Sequence, residues 1–330
     1  MIDKFNREIN YLRVSITDRC NLRCQYCMPK EGVSLIGHQD ILSYEEILRI
    51  VRISVGLGII KVRVTGGEPL VRKDIVGFLR SLGRIEELRD ISLTTNGILL
   101  EELAEDMFDA GIRRINVSLD SLLPERYRTI TRVGDLDRVL RGILAVHRIG
   151  YAPIKINVVA IKGFNDDEIM DFARLTFEYP FQIRFIEYMP IGTAFLKNDF
   201  EYISNNVIIQ TIQKTETLEP VSGHTNGAEG PARVYRIRGA VGEIGIISAI
   251  SHGFCESCNR LRLTADGSLR TCLLSDEEVD LKGIMRAGCS DAELEKVIRN
   301  AILSKPQRSS TFCYEVNRKK CVRSMSAIGG

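Results

Sequence analysis

An α/β fold, an incomplete (β/α)6 TIM-like barrel followed by a C-terminal extension, is what the sequence predicts, and three observations carry the expectation. Short apolar runs alternate strictly with segments of helical period from residue 11 to about residue 186, the signature of a parallel sheet with right-handed crossovers. The strand–helix units number six, short of the eight that close a barrel. Beyond Pro190 the alternation stops, so residues 1–190 are read as the barrel and 191–330 as a separate C-terminal domain.

The elements follow in order. Residues 11–17 read as the first strand, then a cysteine-containing loop, then 44–57 with apolar residues at helical spacing. The second strand, 61–65, runs into Gly66-Gly67-Glu68-Pro69 and a helix through Leu82. Strand 91–95 ends in Asn96-Gly97 before a helix over 99–110, and strand 115–119 ends in Asp120-Ser121 before a helix over 136–149. Strand 154–161 precedes a helix at 167–177, and 181–186 is the sixth strand. In such sheets ligands sit at the C-terminal ends of the strands. Polar or glycine-rich sequence gathers there: the cysteine loop, Gly66–Pro69, Thr94 to Gly97, Ser118 with Asp120, and the stretch from Glu187 to Gly192. In the extension, residues 222–232 are a loop by composition, 241–250 and 260–263 read as strands, and Asp266-Gly267 is a hairpin turn.

Composition narrows the function. With 45 basic and 43 acidic residues the net charge is +2, which argues against nucleic-acid steering. No apolar run has the length of a membrane span, and the N-terminus lacks the apolar core of a signal peptide. Nine cysteines, an odd number and grouped, suit a reducing compartment, so a cytoplasmic location is expected. Cys289, Cys313 and Cys321 are read as free thiols, and the basic run between residues 305 and 323 as a solvated face.

The cysteine groups carry the chemistry. Cys20, Cys24 and Cys27 stand in a C-x3-C-x2-C spacing that chance produces under roughly 1% of the time. Three thiolates hold three corners of a four-iron cluster and leave one iron open to a small molecule. The second group, Cys255-x2-Cys258 with Cys272 further on, is less specific. On spacing alone zinc is its more frequent occupant, although three ligands with an open position also suit a substrate-binding metal centre.

Cys20–Cys27 with Tyr26 before the last thiol, together with Gly66-Gly67-Glu68-Pro69, resembles the radical S-adenosylmethionine (SAM) superfamily. The stretches Leu12-Arg13-Val14-Ser15-Ile16-Thr17-Asp18-Arg19-Cys20-Asn21, Arg63-Val64-Thr65-Gly66, Phe185-Ile186-Glu187-Tyr188-Met189-Pro190 and Phe254-Cys255-Glu256-Ser257-Cys258-Asn259-Arg260-Leu261-Arg262, with Cys272-Leu273 and a C-terminal Gly-Gly, are similar more narrowly to the GTP 3′,8-cyclases of molybdenum cofactor biosynthesis. The resemblance implies two [4Fe–4S] clusters at opposite ends of a barrel cavity: one on Cys20, Cys24 and Cys27 that binds SAM, the other on Cys255, Cys258 and Cys272 that faces the guanine of GTP. It also implies SAM contacts at Tyr26, Gly67, Ser118 and Met189, and GTP contacts at Arg13, Arg63, Thr94, Lys155, Arg260 and Arg262. Glycine at 66 and 67 lets a ligand amino group approach the backbone, Arg forks suit phosphate oxygens, and strand alternation puts Arg260 and Arg262 on one face.

The implied reaction begins with reductive cleavage of SAM. The 5′-deoxyadenosyl radical takes hydrogen from C3′ of GTP, C3′ adds to C8, and reduction gives 3′,8-cyclo-7,8-dihydro-GTP. A Gly329-Gly330 tail reaching into the site, with Arg184 beside it, is expected to support that chemistry. Implied partners are GTP, an unidentified electron donor and the downstream cyclic pyranopterin monophosphate synthase, with a homodimer allowed and neither nucleic acid nor membrane expected. Residues 307–322 follow no pattern of the family. The rival readings are a radical SAM peptide maturase with an auxiliary cluster, and a zinc scaffold in which the cysteines only tie loops.

Overall fold

The computed structural model describes residues 1–189, 191, 200–221, 230–308 and 323–329. Pro190, Cys313, Cys321, Gly330, most of the 222–232 loop and most of the 307–322 stretch lie outside the described residues.

Six strand–helix units form as the alternation requires. They comprise β1 (Tyr11–Ser15), α1 (Tyr44–Gly56), β2 (Lys61–Thr65), α2 (Ile75–Gly83), β3 (Asp90–Thr95), α3 (Leu100–Asp109), β4 (Arg114–Ser118), α4 (Pro124–Thr131), α5 (Leu136–Ile149), β5 (Ile154–Lys162), α6 (Ile169–Glu178) and β6 (Gln182–Glu187). The helix-facing sides of the strands are apolar and sealed: Leu12, Val14, Val62, Val64, Leu93, Ile115, Val117 and Ile183 are fully buried, each contributing about 1.5–3 kcal/mol. Local signals set several helix starts. Ser43 and Glu46 close a capping box on α1, satisfying two backbone donors reciprocally.

After β6 come β7 (Glu201–Tyr202), α7 (Asn205–Gln213), β8 (Leu218–Pro220), β9 (Arg233–Ile237), β10 (Glu243–Ile247), β11 (Arg260–Leu263), β12 (Ser268–Arg270), β13 (Val279–Asp280), α8 (Leu281–Arg286), α9 (Asp291–Leu303) and α10 (Met325–Ile328). The strand order is β13-β12-β11-β1-β2-β3-β4-β5-β6-β10-β9-β8, so the sheet continues unbroken past residue 190. Strand β10 pairs in parallel with β6, and β11 in parallel with β1. The barrel strands are thus flanked on both edges by strands from the extension, and among the described residues β10 and β11 do not pair, which leaves the barrel open.

Between β10 and β11 the chain crosses that open side. It leaves β10 at the C-terminal rim, where Glu187 at the end of β6 accepts hydrogen bonds from Ile250 N (2.7 Å), Ser251 N (2.9 Å) and Ser251 Oγ (2.6 Å). It re-enters the sheet at the opposite rim, with Arg260 level with Tyr11. The two cysteine groups therefore sit at opposite ends of the strands, about 16 Å apart for a five-residue strand. Only the first group stands at the C-terminal rim, where such sheets place their ligands.

The run between residues 305 and 323 is solvated only in part where it is described: Arg308 is exposed, but Lys305 and Arg323 are not. Lys305 is 3% exposed, its ammonium bonded to the carbonyls of Arg260 and Thr271, and Arg323 pairs with Asp266 at 2.6 Å. Partners on neighbouring segments, invisible in a one-dimensional charge run, draw both side chains inward.

Candidate active site

Residues of alternate parity on successive strands point into one cavity of about 320 Å³, within the usual range of small-molecule sites. They include Arg13, Arg63, Thr65, Thr94, Ser118, Asn157, Arg184, Arg260 and Arg262. A closed barrel fills this space with branched apolar side chains; here the inward positions are polar or cationic, and the space stays open. All six cysteines expected to bind iron line it, three at each end, with Tyr26, Gly67 and Met189 at the C-terminal end.

At that end the Gly-Gly turn after β2 is packed against the start of the cysteine loop. Gly67 N donates to Thr17 O and Glu68 N to Arg19 O, both at 2.7 Å. A Cβ on Gly67 would lie 2.4 Å from Arg19 O, and one on Gly66 2.7 Å from Thr17 O, so the glycines serve close backbone packing as well as an open edge. The far side of the loop is gripped by the end of α4: Arg23 N and Gln25 N donate to Thr131 O and Ile130 O, and Arg132 Nη1 reaches Arg23 O (2.7 Å) and Met28 O (2.9 Å). Helix α4 has no counterpart in the sequence reading, because Pro-Glu-Arg-Tyr-Arg-Thr-Ile-Thr carries little apolar stripe.

Two buried carboxylates stand beside the first thiol trio. Glu68 accepts from Thr95 Oγ1 and Asn96 N, both at 2.7 Å, and burial lifts its carboxyl to about 7. Asp120 accepts from Tyr26 Oη at 2.6 Å and Val159 N at 2.8 Å, and burial lifts it to about 6. Burial pushes the Cys20 thiol to about 11. Burial, Cys27 and Asp120 push Cys24 well up, and burial and Cys20 do the same to Cys27. Three crowded thiols that resist ionisation on their own are what a cationic iron cluster ionises and satisfies.

The other end is cationic. Arg262, Arg13 and Arg63 lie level on three adjacent strands, and burial with the neighbouring Arg262 draws Arg13 well below its ordinary value. Burial and Arg260 bring Arg262 to about 10. Arg260 stacks on Phe254 at 4.6 Å and Arg63 on Tyr11 at 5.5 Å. Among the described residues no carboxylate lies within salt-bridge distance of Arg63, Arg260 or Arg262, and the buried Thr94 Oγ1 has no hydrogen-bond partner. Such a set suits an oxyanion-rich ligand. Burial pushes the Cys258 thiol up, but Arg260 and Lys305 outweigh it and bring it down to about 6.

Three placements refine the sequence reading. Lys155 lines a neighbouring cavity of about 250 Å³ together with Arg114, Gln182 and Glu243, and Arg184 lines both cavities. Burial, then Arg184 and Arg114, lower Lys155 to about 6. The tail does return: α10 brings Gly329 to within 2.6 Å of Arg262 Nη1 through its carbonyl, with φ at +72° and a Cβ that would lie 2.4 Å from Thr65 Oγ1. Arg184 donates to Gln182 Oε1 at 2.6 Å. Residues that the sequence reading did not place at the site are Lys305, read there as part of a solvated run, Arg7, whose Nη1 donates to Cys255 O at 2.8 Å, and Asn157. Isolated polar residues carry no spacing signal that could have found them.

The donor set fits iron–sulfur chemistry. The described lining holds three thiols at each end and no histidine, the thiolate donor type that iron–sulfur clusters take.

Residues 14–176 match the Radical SAM superfamily and residues 181–311 the Molybdenum Cofactor Synthesis C family. In sequence the chain is similar to the GTP 3′,8-cyclases of Thermodesulfovibrio yellowstonii (51% identity), Moorella thermoacetica (50%) and Alkaliphilus metalliredigens (49%), each alignment covering 100% of both chains. In structure it is similar to SuiB of Streptococcus suis, solved with S-adenosylmethionine bound (TM-score 0.61, 15% identity, 97% of this chain and 77% of that one) and also with its precursor peptide SuiA (0.61, 15%, 97% and 76%). At that identity the likeness speaks to fold alone. A superfamily match over the barrel implies a [4Fe–4S] cluster and SAM as cofactors, and the full-length relatives narrow the assignment: the chain belongs to the GTP 3′,8-cyclase family of the radical SAM superfamily.

Proposed function

We propose that this enzyme converts GTP to 3′,8-cyclo-7,8-dihydro-GTP in molybdenum cofactor biosynthesis. The observation that carries the reading is a single cavity with a thiol trio and carboxylates at one end and a thiol trio and arginines at the other. Cys20, Cys24 and Cys27 would hold a [4Fe–4S] cluster, which would supply the electron for reductive cleavage of SAM.

The chain's own residues then have separable tasks. Tyr26, Gly67, Ser118 and Met189 border the space for SAM, with Glu68 and Asp120 offering negative charge to its cationic groups. Arg13, Arg63, Arg260 and Arg262 hold the triphosphate, with Thr94 Oγ1 free to donate to it. Lys155 reaches the polyanion from the adjoining cavity, and a bound phosphate draws back the proton that burial disfavours. Cys255, Cys258 and Cys272 would hold a second [4Fe–4S] cluster, which would supply a binding point for the guanine end of GTP. Positioning of C3′ and exclusion of water are what the protein adds to the cofactor chemistry. Gly329 delivers backbone without a side chain to the narrow space beside Arg262, and Arg184 shapes the cavity wall.

The fold is shared with a protein solved with a precursor peptide, so a peptide-modifying radical enzyme is the reading to beat. Its weakness is the arginine row, which a peptide does not require. Anaerobically purified wild-type protein is expected to carry about eight irons, falling to about four in Cys255→Ala, and GTP rather than peptide is expected to stimulate SAM cleavage. About four irons accompanied by zinc in the wild type would withdraw the second cluster.

A further inference from the structure

We propose that Lys305 is the positioning residue of the second thiol trio, closing the two cysteine-bearing segments onto each other and supplying, alongside Arg260, positive charge that balances their thiolates. The inference rests on the reading that this trio holds an iron–sulfur cluster. Cys258 and Cys272 come from different segments, one entering β11 and the other leaving β12. Lys305 follows the end of α9 and spans them: its ammonium donates to Arg260 O at 2.9 Å, two residues past Cys258, and to Thr271 O, next to Cys272.

A lysine that merely bridged two carbonyls would be a costly choice here. The residue is 3% exposed, and a buried ammonium is expensive unless an opposite charge accompanies it. Among the described residues no carboxylate lies within salt-bridge distance of Lys305. The acidic groups that act on it are Cys258 and Cys272. Arg7 makes the contrast. It also anchors this site, through Cys255 O at 2.8 Å, yet it brings its own counter-ion, Asp3 at 2.6 Å. Arg7 is therefore neutralised locally, whereas the charge of Lys305 is left for the thiolates. Groups of this kind, one step behind the ligands, typically change metal affinity about 10–100-fold when lost.

The test uses full-length protein in which Cys20, Cys24 and Cys27 are all replaced by Ala, so that the iron present belongs to the second trio. That protein is expected to hold about four irons. Adding Lys305→Met should reduce the iron surviving a fixed chelator challenge about tenfold or more, and the remaining cluster should titrate at a more negative midpoint potential. In the otherwise native chain, Lys305→Met should keep the first cluster's iron. Unchanged iron retention and potential would overturn the proposal. So would loss of iron from both trios, which marks a lysine that only holds the fold. A triple-Ala protein without iron would instead remove the second cluster itself, and this inference with it.

Discussion

The two ends of the cavity carry the same three-thiol donor set in opposite electrostatic settings. At the C-terminal rim the thiols sit beside Glu68 and Asp120 and are held toward their neutral form, Cys20 at about 11. At the N-terminal rim Cys258 is drawn down to about 6 by Arg260 and Lys305 against the opposing effect of burial. On the proposed reading the difference corresponds to the two ligands. SAM brings a sulfonium and an ammonium, GTP a polyanion, and each end offers the complementary sign. One cavity can therefore orient two charged molecules head to tail without a dividing wall.

The largest expected effect lies where the ends meet. Gly329 sits where a Cβ would meet Thr65 and its carbonyl accepts from Arg262, so removing Gly329 and Gly330 should abolish cyclisation while the iron content stays that of wild type. An active truncation would take the tail out of the chemistry. The next effect belongs to the carboxylate end. The folded state lifts Glu68 from 4.5 to about 7, so the apo chain binds more protons folded than unfolded in that window. Its stability should then fall as pH rises from 4.5 to about 7, by on the order of 3 kcal/mol. Glu68→Gln should lose that slope in urea melts, and identical slopes would mean that Glu68 is not the group responsible.

At the cationic end, Arg262→Ala should weaken GTP binding about 10–100-fold, the range for a lost charged hydrogen bond, while SAM affinity measured by calorimetry stays put. Equal losses for both ligands would erase the division of labour between the ends. The smallest effect is expected from Tyr26→Phe, which forfeits the 2.6 Å bond to Asp120. SAM affinity should drop about two- to tenfold with GTP untouched, and a larger effect on GTP would reverse the assignment of the ends.

Much of the barrel was legible in advance because its signals are local. The expected strands 61–65 and 260–263 and the expected helix 136–149 coincide with β2, β11 and α5, since each is a short run with clear periodicity and a turn at its end. Helix α4 was not legible. Its residues are polar, and it is held by the cysteine loop that it grips. Thr94 and the arginines were named from the family motif, yet their gathering on one wall depends on register. A one-residue slip of β11 against β1 would turn Arg260 and Arg262 away from the cavity.

By itself the sequence determined the chemistry available: two cysteine groups whose spacing is a property of a few consecutive residues, and an alternation that commits the chain to a parallel sheet. Only the tertiary structure decided where that chemistry stands. Residues far apart in sequence set the pairing of β11 with β1, and it is this pairing that sends the second trio to the opposite rim and lines up Arg262, Arg13 and Arg63. Lys305 and Arg7 reach the same site from the two ends of the chain. Such contacts arise when long loops close and buried charges must find partners, and neither requirement is written in any local stretch of residues.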